Sequence, residues 1–229
     1  MFSLHCSNLA KFYGKTEVFR GLNFQLDRAS CIGIQGPNGS GKSTLMKCLS
    51  GLLRPSEGKI TWTIDGKPVD NRQLRFHAGY AAPYITLYNE LSVTENLFFL
   101  RRLRSGHAPG LAAFRTIHNE PPCPDLNGIL ELASLSDLAR RDFGTLSSGQ
   151  QQRVRLASAL VADPPILMLD EPGTNLDSDG AALVAALVSR HRQRGGLVFI
   201  SSNREEELAL TDDRIILPVR IPSSEHSPA

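Results

Sequence analysis

Near its start the chain carries a glycine-rich segment whose residue types and spacing suit the binding of a nucleotide's phosphate groups. It fits the pattern G-x-x-x-x-G-K-[ST] with Gly36, Pro37, Asn38, Gly39, Ser40, Gly41, Lys42 and Ser43, followed by Thr44. The glycines allow positive φ angles that turn backbone N–H groups towards phosphate oxygens, and the helix that follows adds its positive dipole end. We expect these residues to bind ATP, with Lys42 at the β- and γ-phosphates and the Ser43 hydroxyl on Mg²⁺.

Two adjacent carboxylates, Asp170 and Glu171, follow an apolar strand predicted at 165–169. Phosphoryl transfer needs one group that holds Mg²⁺ and another that orients or deprotonates the attacking water. We predict that Asp170 holds the metal, directly or through water, and that Glu171 acts on the water beside the γ-phosphate. The alternative is a pair of solvated carboxylates, which fits poorly with so apolar a strand.

A third segment combines hydroxyls and glycine at the start of a predicted helix. It comprises Leu146, Ser147, Ser148, Gly149 and Gln150. A hydroxyl and bare N–H groups at a helix start form an anion site. The glycine-rich segment already occupies the phosphates of its own nucleotide, however, so the two segments do not serve one nucleotide by themselves. On its own, the string also suits an ordinary serine N-cap.

Together the three segments resemble the motif set of ATP-binding-cassette (ABC) ATPases, and the likeness covers nearly the whole chain. The family signature is L-S-G-G-Q, and Ser148 replaces one of its glycines. The resemblance implies a head-to-tail pair of subunits. Each ATP would lie between the glycine-rich segment of one copy, the P-loop at 36–43, and Ser147, Gly149 and Gln150 of the other. It also implies that Tyr13 stacks on the adenine; packing on the N-terminal sheet is the alternative.

Two positions depart from the family pattern. Pro83 stands where the family usually has a glutamine near Mg²⁺ and the attacking water, and proline has no polar side-chain atom. Asn203 stands where the family has a histidine at the γ-phosphate; its amide can donate a hydrogen bond but carries no charge. With Glu171, Asn203 and Lys42 as the catalytic candidates, we hypothesise a slow ATPase, and an ordinary rate with Asn203 as an effective replacement stays open.

The order of apolar runs, with the resemblance, predicts an α/β fold. We expect a P-loop NTPase core of the ABC-ATPase type, with a small N-terminal antiparallel sheet and an inserted helical subdomain at about 84–160. Helices are predicted at 44–52, 91–103 and 127–142, and a loop at 104–125. Residues 1–221 form the single predicted domain, and 222–229 a polar tail.

Composition narrows the function classes. Apolar residues make up 41% and charged residues 21%, which is the balance of a soluble globular protein. The formal net charge of +2 gives no reason to expect nucleic acid as a partner. No apolar run approaches the roughly 18 residues of a membrane helix. We therefore expect a cytoplasmic chain that lies on the inner face of the membrane through a partner.

The leading hypothesis is the ATP-binding and ATP-hydrolysing subunit of a multi-component ABC membrane transporter. It acts as a head-to-tail dimer, expected to be a homodimer, that drives a separate transmembrane permease subunit. The chain is small, and in this respect it resembles the ATP-binding subunits of exporters, including those of haem export. The alternatives are a soluble ABC-type ATPase for cofactor or complex assembly, or a slow nucleotide-gated module, given Pro83 and Asn203.

Overall fold

The structure is a computed structural model that describes residues 2–27, 31–104 and 124–217. The predicted polar tail at 222–229 and most of the loop predicted at 104–125 lie outside these ranges. The loop prediction is wrong at both of its ends, because Arg104 closes one helix and Pro124 opens another.

A parallel sheet of five strands forms the centre of the molecule, in the order β6-β7-β8-β3-β9. Its strands, in chain order, are β3 (Cys31–Gln35), β6 (Ala78–Ala81), β7 (Ile166–Asp170), β8 (Leu197–Ser201) and β9 (Asp213–Ile216). Strands β7 and β8 are buried along their whole length, as expected of parallel strands covered on both faces. Because the strands are parallel, the loops after β3, β7 and β8 leave the sheet at one edge.

A second, antiparallel sheet has four strands in the order β2-β1-β4-β5. Its strands are β1 (Phe2–Tyr13), β2 (Thr16–Leu26), β4 (Glu57–Ile64) and β5 (Lys67–Val69). The first two strands form a hairpin that turns at Gly14, where φ is 58°. This sheet is the small N-terminal sheet that the sequence predicted, and the predicted fold class is confirmed.

Seven α-helices connect the strands within the described ranges. They are α1 (Lys42–Leu49), α2 (Asn71–His77), α3 (Val93–Arg104), α4 (Pro124–Leu132), α5 (Ser148–Leu160), α6 (Ser178–Gln193) and α7 (Glu205–Leu208). Of these, not one has both the length and the apolar character to cross a membrane. The helix predicted at 91–103 is present, and Ser92 and Glu95 bond each other's backbone N–H groups at its start. The boundaries of the helical subdomain at about 84–160 stay a prediction.

Two helix predictions ran too far at the C-terminal end. The helix predicted at 44–52 ends at Leu49, because Gly51 takes the left-handed conformation with φ of 75° and Leu52 turns out to solvent. The helix predicted at 127–142 begins at Pro124 and ends at Leu132. Ser134, with φ of 54°, breaks it two residues later.

The hydrophobic core lies in two layers on opposite faces of the parallel sheet. Alternate residues of β7 face opposite layers: Ile166 and Met168 pack with the antiparallel sheet and α1, whereas Leu167 and Leu169 pack with the helices. The central sheet is therefore held between two apolar layers, one on each face.

Candidate active site

Three loops meet at the carboxyl edge of the parallel sheet, and backbone hydrogen bonds hold them together. The N–H of Ser202, after β8, donates to the carbonyl of Ile34 in β3 across 3.3 Å. The N–H of Glu171, after β7, donates to the carbonyl of Ser201 across 2.8 Å. The loop after β8 thus lies between the P-loop and the carboxylate pair, which brings sequence-distant candidates into one place.

The P-loop is closed around the ammonium group of its own lysine. Lys42 is buried, with 5% of its surface exposed, and its Nζ donates to the carbonyls of Gly36 at 2.8 Å and Pro37 at 3.2 Å. Gly39 and Gly41 have φ angles of 80° and 102°, which L-residues rarely adopt. The two glycines therefore set the loop's curvature, and Lys42 is fixed at the start of α1.

Close packing also requires glycine at two P-loop positions. A Cβ on Gly41 would lie 2.6 Å from a methyl carbon of Val18 in β2. A Cβ on Gly36 would lie 2.6 Å from the Ser40 hydroxyl and 2.9 Å from the carbonyl oxygen of Leu217. The hydroxyl of Ser40 is buried and has no hydrogen-bond partner among the described residues. The loop therefore holds an unsatisfied polar group of the kind that a phosphate oxygen satisfies.

Glu171 and Asn203, two of the three residues that the sequence places at the γ-phosphate, line one cleft of about 230 Å³, whereas Lys42 does not line it. Asn38 also lines this cleft. The Asn203 amide Nδ2 donates to Asn38 Oδ1 across 2.7 Å, which joins the loop after β8 to the P-loop. Glu171 is exposed and has φ of 48°, an uncommon conformation for a non-glycine residue that recurs at functional sites.

Asp170 is fully buried, and two tyrosine hydroxyls bind one side of its carboxylate. Oδ2 lies 2.8 Å from the hydroxyl of Tyr84 and 3.2 Å from that of Tyr80, and the two hydroxyls are 2.7 Å apart. Burial, with the Asp170 charge next to it, raises the pKa of Tyr80 and of Tyr84 above the ordinary tyrosine value. Both hydroxyls therefore remain protonated and able to donate at neutral pH.

The other carboxylate oxygen of Asp170 fits a role towards Mg²⁺. Oδ1 is buried and has no hydrogen-bond partner in the described part of the chain. Buried carboxylate oxygens are normally paired, so an unpaired one beside a P-loop suits a cation or its bound water. Residues 2–27, 31–104 and 124–217 hold no group of three or more histidine, cysteine or carboxylate side chains that could bind a metal alone. Mg²⁺ ordinarily uses few protein ligands together with substrate phosphates.

The Ser147 segment opens α5 at a different place on the surface. The Ser147 hydroxyl accepts a bond from the N–H of Gln150, and the Gln150 side chain accepts one from the N–H of Ser147. This capping box satisfies two of the four helix-start N–H groups that lack a helical partner. Ser147, Gly149 and Gln150 line a cleft of about 820 Å³. Among the described residues, none lines both this cleft and the Asn38–Glu171–Asn203 cleft.

Tyr13 lies apart from these side chains, at the turn of the first hairpin. The residue is 54% exposed, and the Nζ of Lys11 lies 5.2 Å from the ring centroid. It does not line the clefts that contain Glu171 or Ser147. An exposed ring beside a lysine is available for stacking, and its role on adenine stays a prediction.

Sequence reasoning missed the tyrosine contacts with Asp170 and the bond between Asn38 and Asn203. Tyr84 directly follows Pro83 and is separated from Asp170 by 86 positions, so it was not among the predicted site residues. Asn38 was predicted only to bind phosphate. The sequence held one sign of each contact. Tyr84, with a polar hydroxyl, directly follows Pro83, and Asn203 has an amide where the resemblance predicts a histidine.

Comparison with known proteins agrees with this geometry. The family model described as "ABC transporter" matches residues 19–174. A "Cytochrome c biogenesis ATP-binding export protein CcmA" from Rhizobium johnstonii is 34% identical over 200 residues, covering 86% of this chain and 86% of that protein. A "Nod factor export ATP-binding protein I" from Burkholderia orbicola is 33% identical, covering 91% of this chain and 65% of that protein.

A solved structure shares the fold over almost its whole length. It is described as the dimeric post-hydrolysis state of the ATP-binding cassette MJ0796 bound to ADP and Pi. The TM-score is 0.78 at 25% identity, and the match covers 95% of this chain and 97% of that one. The sequence resemblance to ABC ATPases is thereby confirmed. This chain belongs to the ABC transporter family, and it is an ATP-binding ATPase subunit.

Proposed function

We propose that the chain hydrolyses ATP at sites shared between two copies of itself, and that this hydrolysis drives export through the transmembrane subunit. The observation that carries the proposal is the separation of the two clefts: Ser147 and Gly149 open on one, and Asn38 and Glu171 on the other. A helix start that does not face its own P-loop can meet a second copy's phosphates in a head-to-tail dimer.

Within each site, residues that follow the parallel strands have different roles in ATP hydrolysis. Lys42, held by two P-loop carbonyls, neutralises charge on the β- and γ-phosphates. Glu171 orients the attacking water or takes its proton, and its cleft is open to solvent. Asn203 donates a hydrogen bond to the γ-phosphate, where charge develops, through the amide N–H that does not bond Asn38.

Mg²⁺ fits the unpaired Oδ1 of Asp170 together with the Ser43 hydroxyl. Bound there, Mg²⁺ would neutralise the β- and γ-phosphate oxygens and so lower the barrier to phosphoryl transfer. Asp170 accepts tyrosine hydroxyls on Oδ2, which leaves Oδ1, the oxygen that would hold the metal, without a protein donor.

Ser147, Gly149 and Gln150 act from the other copy. Their helix start keeps its capping box in the single chain, so the anion-binding surface exists before the dimer closes. Tyr13 supplies an exposed ring for the adenine. Gln152 on α5 donates to the carbonyl of Pro172 across 3.0 Å, so the signature helix is tied directly to the residue after Glu171.

Export, and a place on the cytoplasmic face of the membrane, are proposed from the relatives. The two curated relatives described above are named for export, and the chain covers 86% of the first. No described helix crosses a membrane, so contact with the membrane would run through the transmembrane subunit. The cargo is bound by that subunit and not by the residues of this site.

The test is ATP-dependent dimerisation of the Glu171→Gln variant. Removing the carboxylate stops hydrolysis but keeps the side chain's size and the P-loop, so ATP and Mg²⁺ should hold the variant as a dimer in size-exclusion chromatography with light scattering. The matched control is Glu171→Gln combined with Lys42→Ala, which should remain monomeric because the phosphates lose their lysine.

A monomeric Glu171→Gln protein with ATP and Mg²⁺, even in the presence of the transmembrane subunit, would contradict the proposal. Unchanged ATP turnover in Glu171→Gln would contradict the role given to Glu171, whatever the oligomeric state.

A further inference from the structure

Tyr84 joins three elements of the site through one side chain. It follows Pro83 in the loop after β6, its hydroxyl reaches Asp170 at the end of β7, and its ring covers the Nζ of Lys47 on α1 at 4.0 Å from the centroid. The ring is 47% exposed, whereas Asp170 is fully buried. A half-exposed tyrosine thus places a hydrogen-bond donor on the most buried carboxylate of the site.

Proton counting identifies Tyr84 as the main donor to Asp170. Each hydroxyl has one proton, so at most two of the three contacts among Tyr80, Tyr84 and Asp170 are hydrogen bonds at once. The two shortest are Tyr84 to Asp170 at 2.8 Å and Tyr80 to Tyr84 at 2.7 Å, whereas Tyr80 to Asp170 is longer at 3.2 Å. In this arrangement Tyr80 donates to Tyr84, and Tyr84 donates to the carboxylate.

Tyr84 directly follows Pro83, which has no polar side-chain atom of its own. The hydrogen-bond donor at this place in the loop is therefore the tyrosine hydroxyl. The hydrogen bond from Tyr84 restricts the rotation of the Asp170 carboxylate about its terminal torsion, because it holds Oδ2 in place. The other oxygen, Oδ1, is then left unpaired on the opposite side.

We propose that Tyr84 is a positioning residue for Mg²⁺: its hydroxyl holds Asp170 Oδ2 so that Oδ1 is presented to the metal or to a metal-bound water. The inference rests on the proposed function, since it gives Asp170 the metal. Hydrogen-bond partners of metal-binding carboxylates typically change metal affinity by about 10- to 100-fold when removed.

The test compares ATP affinity with and without Mg²⁺ by isothermal titration calorimetry, in a Glu171→Gln background so that ATP is not consumed. The measured quantity is the ratio of the dissociation constant for ATP in EDTA to that for ATP with Mg²⁺. Tyr84→Phe removes the hydroxyl but keeps the ring over Lys47. We expect it to lower the ratio by about tenfold while the constant in EDTA stays the same.

Two further variants sharpen the comparison. Tyr80→Phe keeps the bond from Tyr84 to Asp170, so its ratio should fall by less than that of Tyr84→Phe. Tyr88→Phe removes the same atom from a tyrosine in the same loop and keeps the ring contact with Phe99, whose centroid is 5.3 Å away. It should leave the ratio unchanged.

The outcomes separate this inference from the proposed function. If the Glu171→Gln parent binds ATP equally well with and without Mg²⁺, the metal role of Asp170 fails. If the parent needs Mg²⁺ and Tyr84→Phe keeps the parent ratio, or raises it, only the inference about Tyr84 is overturned. A loss of ATP affinity that is equal with and without Mg²⁺ would indicate a purely structural role and would overturn it as well.

Discussion

The side-chain amide of Asn203 donates a hydrogen bond to Asn38 Oδ1 across 2.7 Å, which links the loop after β8 to the P-loop. Both residues line the cleft that contains Glu171. The resemblance to the family predicts a histidine at this position, and the structure shows the Asn203 amide engaged with a neutral partner. The second N–H of that amide is left for a γ-phosphate oxygen, but the side chain supplies no positive charge there, which favours slow turnover.

Asn203→His should increase the ATPase rate of the assembled complex. A histidine can donate from a ring nitrogen and carry positive charge, so it can add a transition-state contact of a kind worth about 100- to 1000-fold where it is well placed. Steady-state kcat with excess ATP and Mg²⁺ is the measurement. We expect a gain of at least about tenfold.

Asn203→Ala provides the matched control, because it removes the donor without adding a charge. It should lower kcat below the wild-type value. Natural turnover of tens per second, or a histidine variant no faster than the wild type, would contradict the hypothesis of a slow ATPase.

Gly79→Ala should destabilise the fold strongly. Gly79 lies in β6, and a Cβ there would overlap the carbonyl oxygen of Ala159 at the end of α5 and lie 2.8 Å from Pro164 Cγ. The overlap involves backbone, which cannot move without separating α5 from the sheet. We expect a loss of about 3 kcal/mol or more in the free energy of unfolding, measured by urea denaturation.

Gly128→Ala is the control for the Gly79 variant. Gly128 lies within α4, and a Cβ there meets no atom within 4 Å. Since alanine favours the helix over glycine, this variant should gain about 0.5–1 kcal/mol. Equal effects of the two substitutions would show that the contact between β6 and α5 is not as the structure has it.

Protonation of the buried His191 should lower the free energy of unfolding in mild acid. The ring is buried at the end of α6 with Nε2 3.2 Å from the carbonyl oxygen of Pro165. Burial lowers the pKa of His191 below its ordinary value of 6.5, in spite of the Pro165 carbonyl and the nearby Asp163. The unfolded chain therefore binds the proton more readily, and stability is lost as the pH falls through and below about 6.5.

The measurement is the free energy of unfolding between pH 7.5 and 5.5 for the wild type and for His191→Gln. The glutamine variant keeps an amide donor for the Pro165 carbonyl but does not titrate. Its pH slope should be shallower than that of the wild type, with a difference of no more than about 1.4 kcal/mol per pH unit. Parallel slopes would mean that His191 does not contribute.

The parts of the fold that follow from local sequence were predictable. The P-loop between β3 and α1, and the apolar strand that ends in Asp170, are carried by contiguous residues with a direct physical role. Helix ends were less predictable, because the left-handed conformations of Gly51 and Ser134 decide where α1 and α4 stop. The apolar spacing continued past both of these breaks and so gave no warning.

The residue pairs that organise the site were not specified by the sequence, because each pair joins residues far apart in the chain. Tyr84 and Asp170 are separated by 86 positions, and Asn38 and Asn203 by 165. Only the strand order β6-β7-β8-β3 brings these loops to one edge of the sheet. The spacing of the motifs alone does not specify that order.

The most direct test of the shared site is a mixed dimer of two inactive variants. Lys42→Ala disables the P-loop, and Ser147→Arg places a large charged side chain at an exposed position of the α5 start. In a head-to-tail dimer of one copy of each, both lesions fall in the same site and the second site is intact. We predict that the mixed dimer, purified through two different tags, hydrolyses ATP at about half the wild-type rate, whereas each variant alone is inactive. A mixed dimer as inactive as its parents would contradict the account, because it would place both motifs in a site made by a single chain.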